Sequence, residues 1–506
     1  MRDWQLNATT LLAAGISLVA LRITSLAIYR LWLSPLAKIP GPKLAALTFL
    51  YEFYYDVIKR GRFLWKIQEL HHQYGPIVRI NPYEVHINDA NFYDDIYASG
   101  PHRPRNKVRF MSTHDESMFD SYNAETHRVR RAALSASFSK QSIRALEPLI
   151  LQTINQLTGR MSTLKDTGEL VNLKALYSGL TMDVIAQYCF GESMDNMKQD
   201  KFGKELLDFF HEMPQAHPIG RMFPWLFDII QKIPIGVLAK LDPKLQPLAD
   251  YDKKISGQIS EVLAKDKQDS IRTVFHEMRD SKQLPEADKT LERFKSEAAI
   301  FLGAGTETTA AALTTLSFHL TENPEMLATL REELETVMED NIVPVTVAKL
   351  EPLPYLTGVI QESIRLSFGV PGRLPRYAPN EDLSYAGYKL PRGTRMSASS
   401  YLIDTDEQHY PDPFKFDPER WIHGKASLGR HFVPFCKGTR QCIGMNLAYA
   451  ELYLTVATIF SRFDLELVGT TRKDIEIAHD FFVGMPALDS KGVMVKVVKD
   501  VVDGSD

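Results

Sequence analysis

The chain has 506 residues, a net charge of −4 and 44% hydrophobic side chains. That is ample apolar material for a large core, and the lack of a global basic field excludes a general nucleic-acid binder. Three cysteines, Cys189, Cys436 and Cys442, are too few for a disulfide scaffold and fit a reducing compartment. Length alone allows about three domains, but no repeat and no long Gly/Ser or Pro-rich linker divides the chain.

In chain order, the first element is apolar. Leu11 to Leu21 carries no charge, Arg22 interrupts, and Ile23 to Tyr29 resumes. At about 1.5 Å per residue a helix from Leu6 to Tyr29 spans a hydrocarbon layer of about 30 Å. A mid-membrane arginine costs about 2.5–3.5 kcal/mol, relieved in part by snorkelling. Arg30, Lys38 and Lys43 follow the span, whereas Arg2 is offset by Asp3. Residues 1–33 are therefore expected to be a single-pass anchor with the body on the cytosolic side. A cleaved signal peptide is the competing reading, but no clean small-x-small site follows. Asn7-Ala8-Thr9 is a glycosylation sequon, usable only at a luminal end. Pro35, Pro40, Gly41 and Pro42 then stop the helix, which predicts a stiff hinge over residues 34–45.

The remainder, residues 46–506, reads as one large body, mainly α with small β-sheets. Ile77–Ile80 and Val85–Ile87 predict short strands after the Gly75-Pro76 turn. Helices are expected over Leu170–Phe190, Phe202–Met213 and Lys253–Met278, where apolar residues recur every three to four positions. Pro214–Pro247, with Phe223, Trp225 and Leu226, is a cover over a pocket, a second membrane surface, or a packed loop. Phe294–Leu320 is a long helix; Glu325–Glu339 and Leu356–Phe368 are two more. Short strands are expected in Tyr385–Ser400, Leu465–Val468, Phe481–Met485 and Val493–Val498.

The run Phe435-Cys436-Lys437-Gly438-Thr439-Arg440-Gln441-Cys442-Ile443-Gly444 carries the chemistry. A lone thiolate on a glycine-relieved loop suits haem iron, because zinc and iron–sulfur sites need several ligands. Gly438 and Gly444 let the backbone approach a flat macrocycle, and Phe435 screens the sulfur from water. Arg440 can reach a propionate through a charge-assisted bond. Cys436, six residues earlier, is expected to be packing; a buried structural cysteine is the bland alternative for Cys442 as well.

On the long helix, Ala304-Gly305-Thr306-Glu307-Thr308-Thr309 places small and hydroxylic residues together. Gly305 offers a bare backbone. Thr308 and Thr309 can bond back to carbonyls and open a groove. Glu307 and Thr308 form a candidate proton relay; an ordinary close-packing stripe is the competing reading. Glu362 and Arg365 share a helix face, and Arg420 is the best third member of a buried clamp. His127 and Arg131, four apart, and Arg376, after Leu374-Pro375, are candidate donors to carboxylates. Arg128, Arg130, Lys425, Arg430 and Lys437 form a candidate basic face for an acidic electron-donor protein.

Taken together these motifs resemble the cytochrome P-450 family of haem-thiolate monooxygenases, over essentially the whole chain. Within it, Lys38–Ala46, Tyr74–Arg79, Ser135–Lys140 and Asn446–Leu452 are similar to fungal microsomal enzymes of secondary metabolism, of the trichodiene oxygenase type. The resemblance implies a triangular cytochrome P-450 fold, haem b ligated by Cys442, and hydroxylation or epoxidation of an apolar, terpenoid-like metabolite. It further implies NADPH–cytochrome P-450 reductase as electron donor, cytochrome b5 as a second donor, O2 as co-substrate, and an endoplasmic reticulum membrane. Many relatives carry tryptophan where His127 stands, and histidine keeps the donor. Phe110, Met111, Phe119, Phe301, Ala304, Val370 and Leu374 are the expected pocket lining. Isomerase or dehydratase chemistry without outside electrons, and a non-catalytic haem-binding role, are the competing functions.

Overall fold

The computed structural model describes residues 8–98, 100, 102–108, 117–230, 232–264, 272–338 and 346–501. It is mainly α with small β-sheets and one N-terminal apolar helix, as the sequence predicts. Asn7, Phe110 and Met111 lie outside the described residues.

The anchor helix Ala8–Ile28 continues into a wider π turn, Tyr29–Leu33. Thr9–Leu33 is a 25-residue stretch of mean hydropathy 2.0 with none of its apolar window buried. Its length and composition suffice to cross a bilayer. The end of this element is tied to the body. Arg30 donates to the carbonyl of Leu47 and to the Tyr83 hydroxyl, while its own carbonyl accepts from Arg79 Nη1 at 2.7 Å. The proline segment packs as well. Leu36 and Ile39 are buried in the core of the small sheet, and Arg79 N donates to Pro40 O at 2.7 Å. The proline-rich segment is thus packed against the body.

The strands are β1 (Ile77–Arg79), β2 (Glu84–Ile87), β3 (Asn106–Lys107), β4 (Val171–Asn172), β5 (Arg376–Tyr377), β6 (Leu383–Tyr385), β7 (Tyr388–Leu390), β8 (Arg395–Ser397), β9 (Phe463–Leu467), β10 (His479–Phe481), β11 (Val483–Met485) and β12 (Met494–Asp500). One sheet has the order β1-β2-β8-β5-β3 and another β4-β12-β9; β6-β7 and β10-β11 are hairpins. All strands are short, so the sheets act as braces beside a helical core.

That core is built around the long helix Leu291–Glu322. The Thr290 side chain caps its start by accepting from Arg293 N at 3.2 Å, satisfying an end amide that has no helical partner. Its C-terminal half is buried on nearly every face, as expected of a helix that is apolar all round. The helix Leu173–Phe190 lies against it. Thr181 Oγ1 donates to Thr306 O at 3.0 Å, and Tyr177 shares a 2.9 Å hydrogen bond with Ser317. A Cβ on Gly305 would sit 3.2 Å from Ile185. Gly305 therefore serves close helix packing, and the expectation that it offers bare backbone to oxygen or substrate is corrected.

Pro214–Pro247 folds as short helices, His217–Met222, Pro224–Ile230 and Ile235–Leu241. Trp225 and Leu241 are exposed. Arg221 pins this cover to the body through Glu52 and Asp56. Lys253–Met278, expected as one helix, is interrupted. The described parts are Gln246–Ala264 and Val274–Asp280.

Candidate active site

The cysteine loop is shaped by its own backbone. Cys436 and Gly438 adopt positive φ angles of 56° and 76°, a conformation that suits glycine and strains other residues. A side chain at Gly438 would collide with the carbonyl oxygens of Tyr97 and Ala98. Gly438 is required by the protein itself. Gly444 has an ordinary backbone, and a Cβ there would lie 4.0 Å from Cys442 Sγ. Its small size matters only toward whatever lies over the sulfur. Cys442 N donates to Phe435 O at 3.0 Å, and the Phe435 ring rests 5.5 Å from Tyr449. Arg131 Nη1 donates to Gln441 O at 2.7 Å. The helix Met445–Arg462 follows and buries its apolar face in the core.

Cys442 is the exposed cysteine of the three, yet burial among protein atoms pushes its thiol up. Both hold for a side chain crowded by protein atoms on one side and accessible on the other. The Gly444 amide and the Arg131 guanidinium work against that rise and favour thiolate. Across the body, Ala304 is exposed at the middle of a helix whose neighbours Leu302 and Thr306 are buried. Thr308 Oγ1 donates to Ala304 O at 2.9 Å, which loosens the helical ladder there. Thr309 does not share this back-bond among the contacts shown; it meets the buried Glu451 carboxyl instead.

Glu307 is paired with side chains of two other helices. Its Oε2 pairs with Lys174 Nζ at 3.2 Å and with His211 Nδ1 at 3.0 Å. Burial favours the neutral acid, but Lys174 and His211 outweigh it and hold the carboxyl down to about 2.

The sequence-predicted carboxylate donors converge. His127 is buried, and burial together with Arg440, Arg131, Arg376 and Lys107 holds its ring down to about 2. All four named neighbours are cations. Arg440 Nη2 donates to the carbonyls of Tyr122 and Asn123 at 3.2 and 3.3 Å. Arg376 donates to the carbonyls of Pro375 and Leu374 and lies 5.6 Å over the Tyr97 ring. Buried cations need anions, so this cluster fits a ligand bearing carboxylates. Lys107, on β3, is a member that sequence reasoning missed; no local pattern marks it.

Glu362 sits at the centre of a fully buried clamp. It accepts from Arg365 Nε at 2.9 Å, Arg365 Nη2 at 2.7 Å, Arg420 Nε at 3.0 Å, Trp421 Nε1 at 2.8 Å and Asp417 N at 3.1 Å. Arg365 also donates to Asp404 O and Pro413 O at 2.8 and 2.7 Å. The Asp404 carboxylate in turn accepts from Val433 N at 3.2 Å, two residues before Phe435. The clamp thereby reaches the cysteine loop.

Burial pushes the Asp404 carboxyl up to about 8, with Glu362 adding to the rise and Val433 N and Arg365 opposing it. The folded chain then holds a proton that the unfolded chain releases above an ordinary value of about 3.9. Stability should fall as pH rises from about 4 to 8, because the folded state binds more protons in that window. Asp404→Asn is expected to flatten the melting temperature across this range; an unchanged slope would contradict the assignment.

The expected pocket lining divides. Ala304 is exposed in mid-helix. Phe119 is half-buried, with its ring 6.0 Å from that of Phe482 at the β10–β11 tip, and Val370 lines a small cavity with His217 and Phe482. Phe301 instead packs into the core against Phe138 and Phe275, at 5.4 and 6.1 Å. Leu374 packs against the small-sheet core. Phe482, at φ 82°, joins the lining unforeseen. The basic face also shrinks. Arg130 turns inward to Asp288 and Ser121, Arg128 pairs with Glu125, and Lys437 with Asp94.

This site, in a mainly helical body, defines a haem-thiolate protein class. The cytochrome P-450 family model matches residues 40–492. The chain is 40% identical to a cytochrome P-450 monooxygenase of Ascocoryne sarcoides, covering 96% of this chain and 98% of that one. It is 41% identical to conidiogenone synthase of Penicillium rubens, over 94% and 96%. It is 39% identical to a tryptophan 6-hydroxylase of Fusarium equiseti, over 94% of each chain. The chain belongs to the cytochrome P-450 family. It is an oxidoreductase of the fungal secondary-metabolism type, an NADPH- and O2-dependent monooxygenase acting on an apolar metabolite. Membership implies haem b, and the residues fit it. Cys442 is the exposed thiol that would hold its iron; Arg131, Arg376 and Arg440 would offer charge to its two propionates, and the neutral His127 ring an N–H.

Proposed function

We propose that the chain hydroxylates or epoxidises an apolar, terpenoid-like scaffold, as an endoplasmic reticulum enzyme with its body toward the cytosol and fed by NADPH–cytochrome P-450 reductase. The observation that carries this reading is the exposed Cys442 on its backbone-shaped loop, together with the Thr308 hydroxyl bonded back to the carbonyl of the exposed mid-helix Ala304. Bound haem supplies the redox iron that activates oxygen for insertion into the substrate. The chain's own residues bind and orient that group and handle protons. Arg131 and the Gly444 amide oppose the rise that burial imposes on the Cys442 thiol and so favour its thiolate. The arginines around His127 neutralise carboxylates. Ala304 and Phe119 offer apolar surface, whereas the small cavity at Val370 and Phe482 is shared with Asp56, Arg221, Arg373 and Asp480. Thr308 holds its hydroxyl proton on the Ala304 carbonyl and would be the proton donor in the oxidation.

The terpenoid-like reading rests on the sequence resemblance, and the tryptophan 6-hydroxylase among the relatives carries the competing indole amino acid. Comparing all metabolites with the gene present and absent tests it. An accumulated terpenoid precursor supports the proposal, and an accumulated indole amino acid overturns it. Product formed equally without NADPH and reductase would show isomerase or dehydratase chemistry instead. Thr308→Ala is expected to keep substrate affinity and haem content while product per NADPH falls about tenfold or more, the scale of a lost proton donor. Peroxide and product yields measured together check this.

A further inference from the structure

The loop at residues 117–121 carries Phe119 and is held by charge on its backbone. Met118 N donates to Glu297 Oε2 at 2.9 Å. Lys107 Nζ donates to Phe119 O at 2.8 Å and lies 3.5 Å over the centre of the Phe119 ring. Arg130 Nη1, on the helix Ala124–Ser135, donates to Ser117 O at 3.2 Å and to Ser121 Oγ at 2.9 Å. An acid thus takes an amide and cations take the carbonyls, and charge-assisted bonds of this kind are about twice as strong as neutral ones.

We propose that Glu297 is a specificity-determining positioning residue: it fixes the Met118 amide, and through it the place where Phe119 stands against a bulky apolar substrate. The inference deepens the apolar-substrate reading above and rests on Phe119 as part of the substrate wall. Glu297 acts through the loop and not by touching the substrate.

Position on the long helix connects this hold to the site. At helical spacing Glu297, Ala304 and Thr308 fall within about 40° of one face, with Glu297 about 10 Å, roughly two turns, before Ala304. The loop bound to Glu297 therefore covers the same face that Ala304 exposes further on. Glu297 and Arg293 are buried, with Arg293 Nη1 2.9 Å from Glu297 Oε2. Burial pushes the Glu297 carboxyl up; Arg293, the Met118 amide and Arg130 oppose the rise, and Asp120 adds to it. A buried ion pair is a poor device for stability, since well-packed apolar residues of similar volume often serve as well or better. An apolar contact supplies no directed bond to one backbone amide, and that bond is what this pair adds. Phe119 is the next residue after that amide, with its ring 6.0 Å from that of Phe482.

The test uses full-length holoprotein and two probes that ligate haem iron, imidazole and clotrimazole, an imidazole bearing a bulky triaryl group. Spectral titration gives a Kd for each. Glu297→Ala removes the hold. Glu297→Leu combined with Arg293→Met removes the pair together, strands neither of its charges, and should keep the melting temperature and the carbon monoxide band. In both variants the imidazole Kd should stay within about twofold of wild type while the clotrimazole Kd rises about tenfold, because a wall no longer held in place binds less tightly. Glu297→Gln keeps an acceptor for the Met118 amide and should retain most of the affinity. Phe119→Ala should weaken clotrimazole to a similar degree, and adding it to the pair variant should change little more, as expected of residues that act through one contact. A wild-type clotrimazole Kd in the pair variant, equal weakening of both probes, or effects that add to those of Phe119→Ala overturns the proposal. A wild type that shows this coupling yet forms no NADPH-dependent product overturns the monooxygenase reading and leaves the role of Glu297 standing.

Discussion

Cys442→Ala is expected to abolish product formation and the red-shifted carbon monoxide band of the reduced protein, while the fold persists. The Cys442 side chain is exposed, so its removal empties no packed core position. What is lost is the iron ligand. The loop keeps its course, because Gly438, Phe435 O and Arg131 shape it through backbone contacts. Melting should fall only by the binding energy of the lost group, a mass-action effect that excess ligand would offset. Product formation by a folded, haem-bearing variant would contradict the assignment of Cys442. Cys436 is not an alternative ligand in this geometry. Its sulfur lies 3.7 Å from Lys437 O in a strained turn and interacts with Tyr93.

Glu362→Ala is expected to cost more stability than any other single change named here. Five donors converge on this carboxylate, two from Arg365 and one each from Arg420, Trp421 and Asp417 N. Arg365 and Glu362 are wholly buried. Removing the acid leaves a guanidinium in the interior without its counter-charge, at a cost of about 3–5 kcal/mol. Whole-domain stability is typically about 5–15 kcal/mol, so most of the variant should be lost as aggregate or apoprotein. Melting and haem per chain, measured together, check this. Near-normal values for both would refute the clamp. Glu362→Gln should fall between, since shape and acceptor remain while charge is lost.

The clamp was legible because three of its members sit in patterned contexts, Glu362 and Arg365 three apart and Arg420 in a proline-rich loop. Trp421 and Asp404 were not, since their roles depend on how distant segments meet. The cysteine loop was legible for a similar reason. Its glycine at 438 answers a backbone need that sequence spacing reveals, although the collision is with Tyr97 and Ala98, far away in the chain. The long helix was read correctly in extent and less well in facing. A helix apolar on all sides carries no phase, so Phe301 was assigned to the pocket although it packs with Phe138 and Phe275. Gly305 was assigned to the open face although it meets Ile185, while Ala304 is the exposed residue. Glu307 was paired with Thr308 by adjacency. Neighbours on a helix do not face each other, and the carboxylate instead finds Lys174 and His211 on other helices. The proline segment 34–45 was read as a spacer because proline stiffens chain, but Leu36 and Ile39 bury themselves.

The most direct test of the central claim is the carbon monoxide difference spectrum of the reduced, purified full-length chain. Ligation of haem iron by the Cys442 thiolate predicts the strongly red-shifted Soret band that gives the family its name. A stoichiometric haem band at the position of a histidine-ligated protein in the freshly folded sample would contradict it, as would a purified chain that takes up no haem.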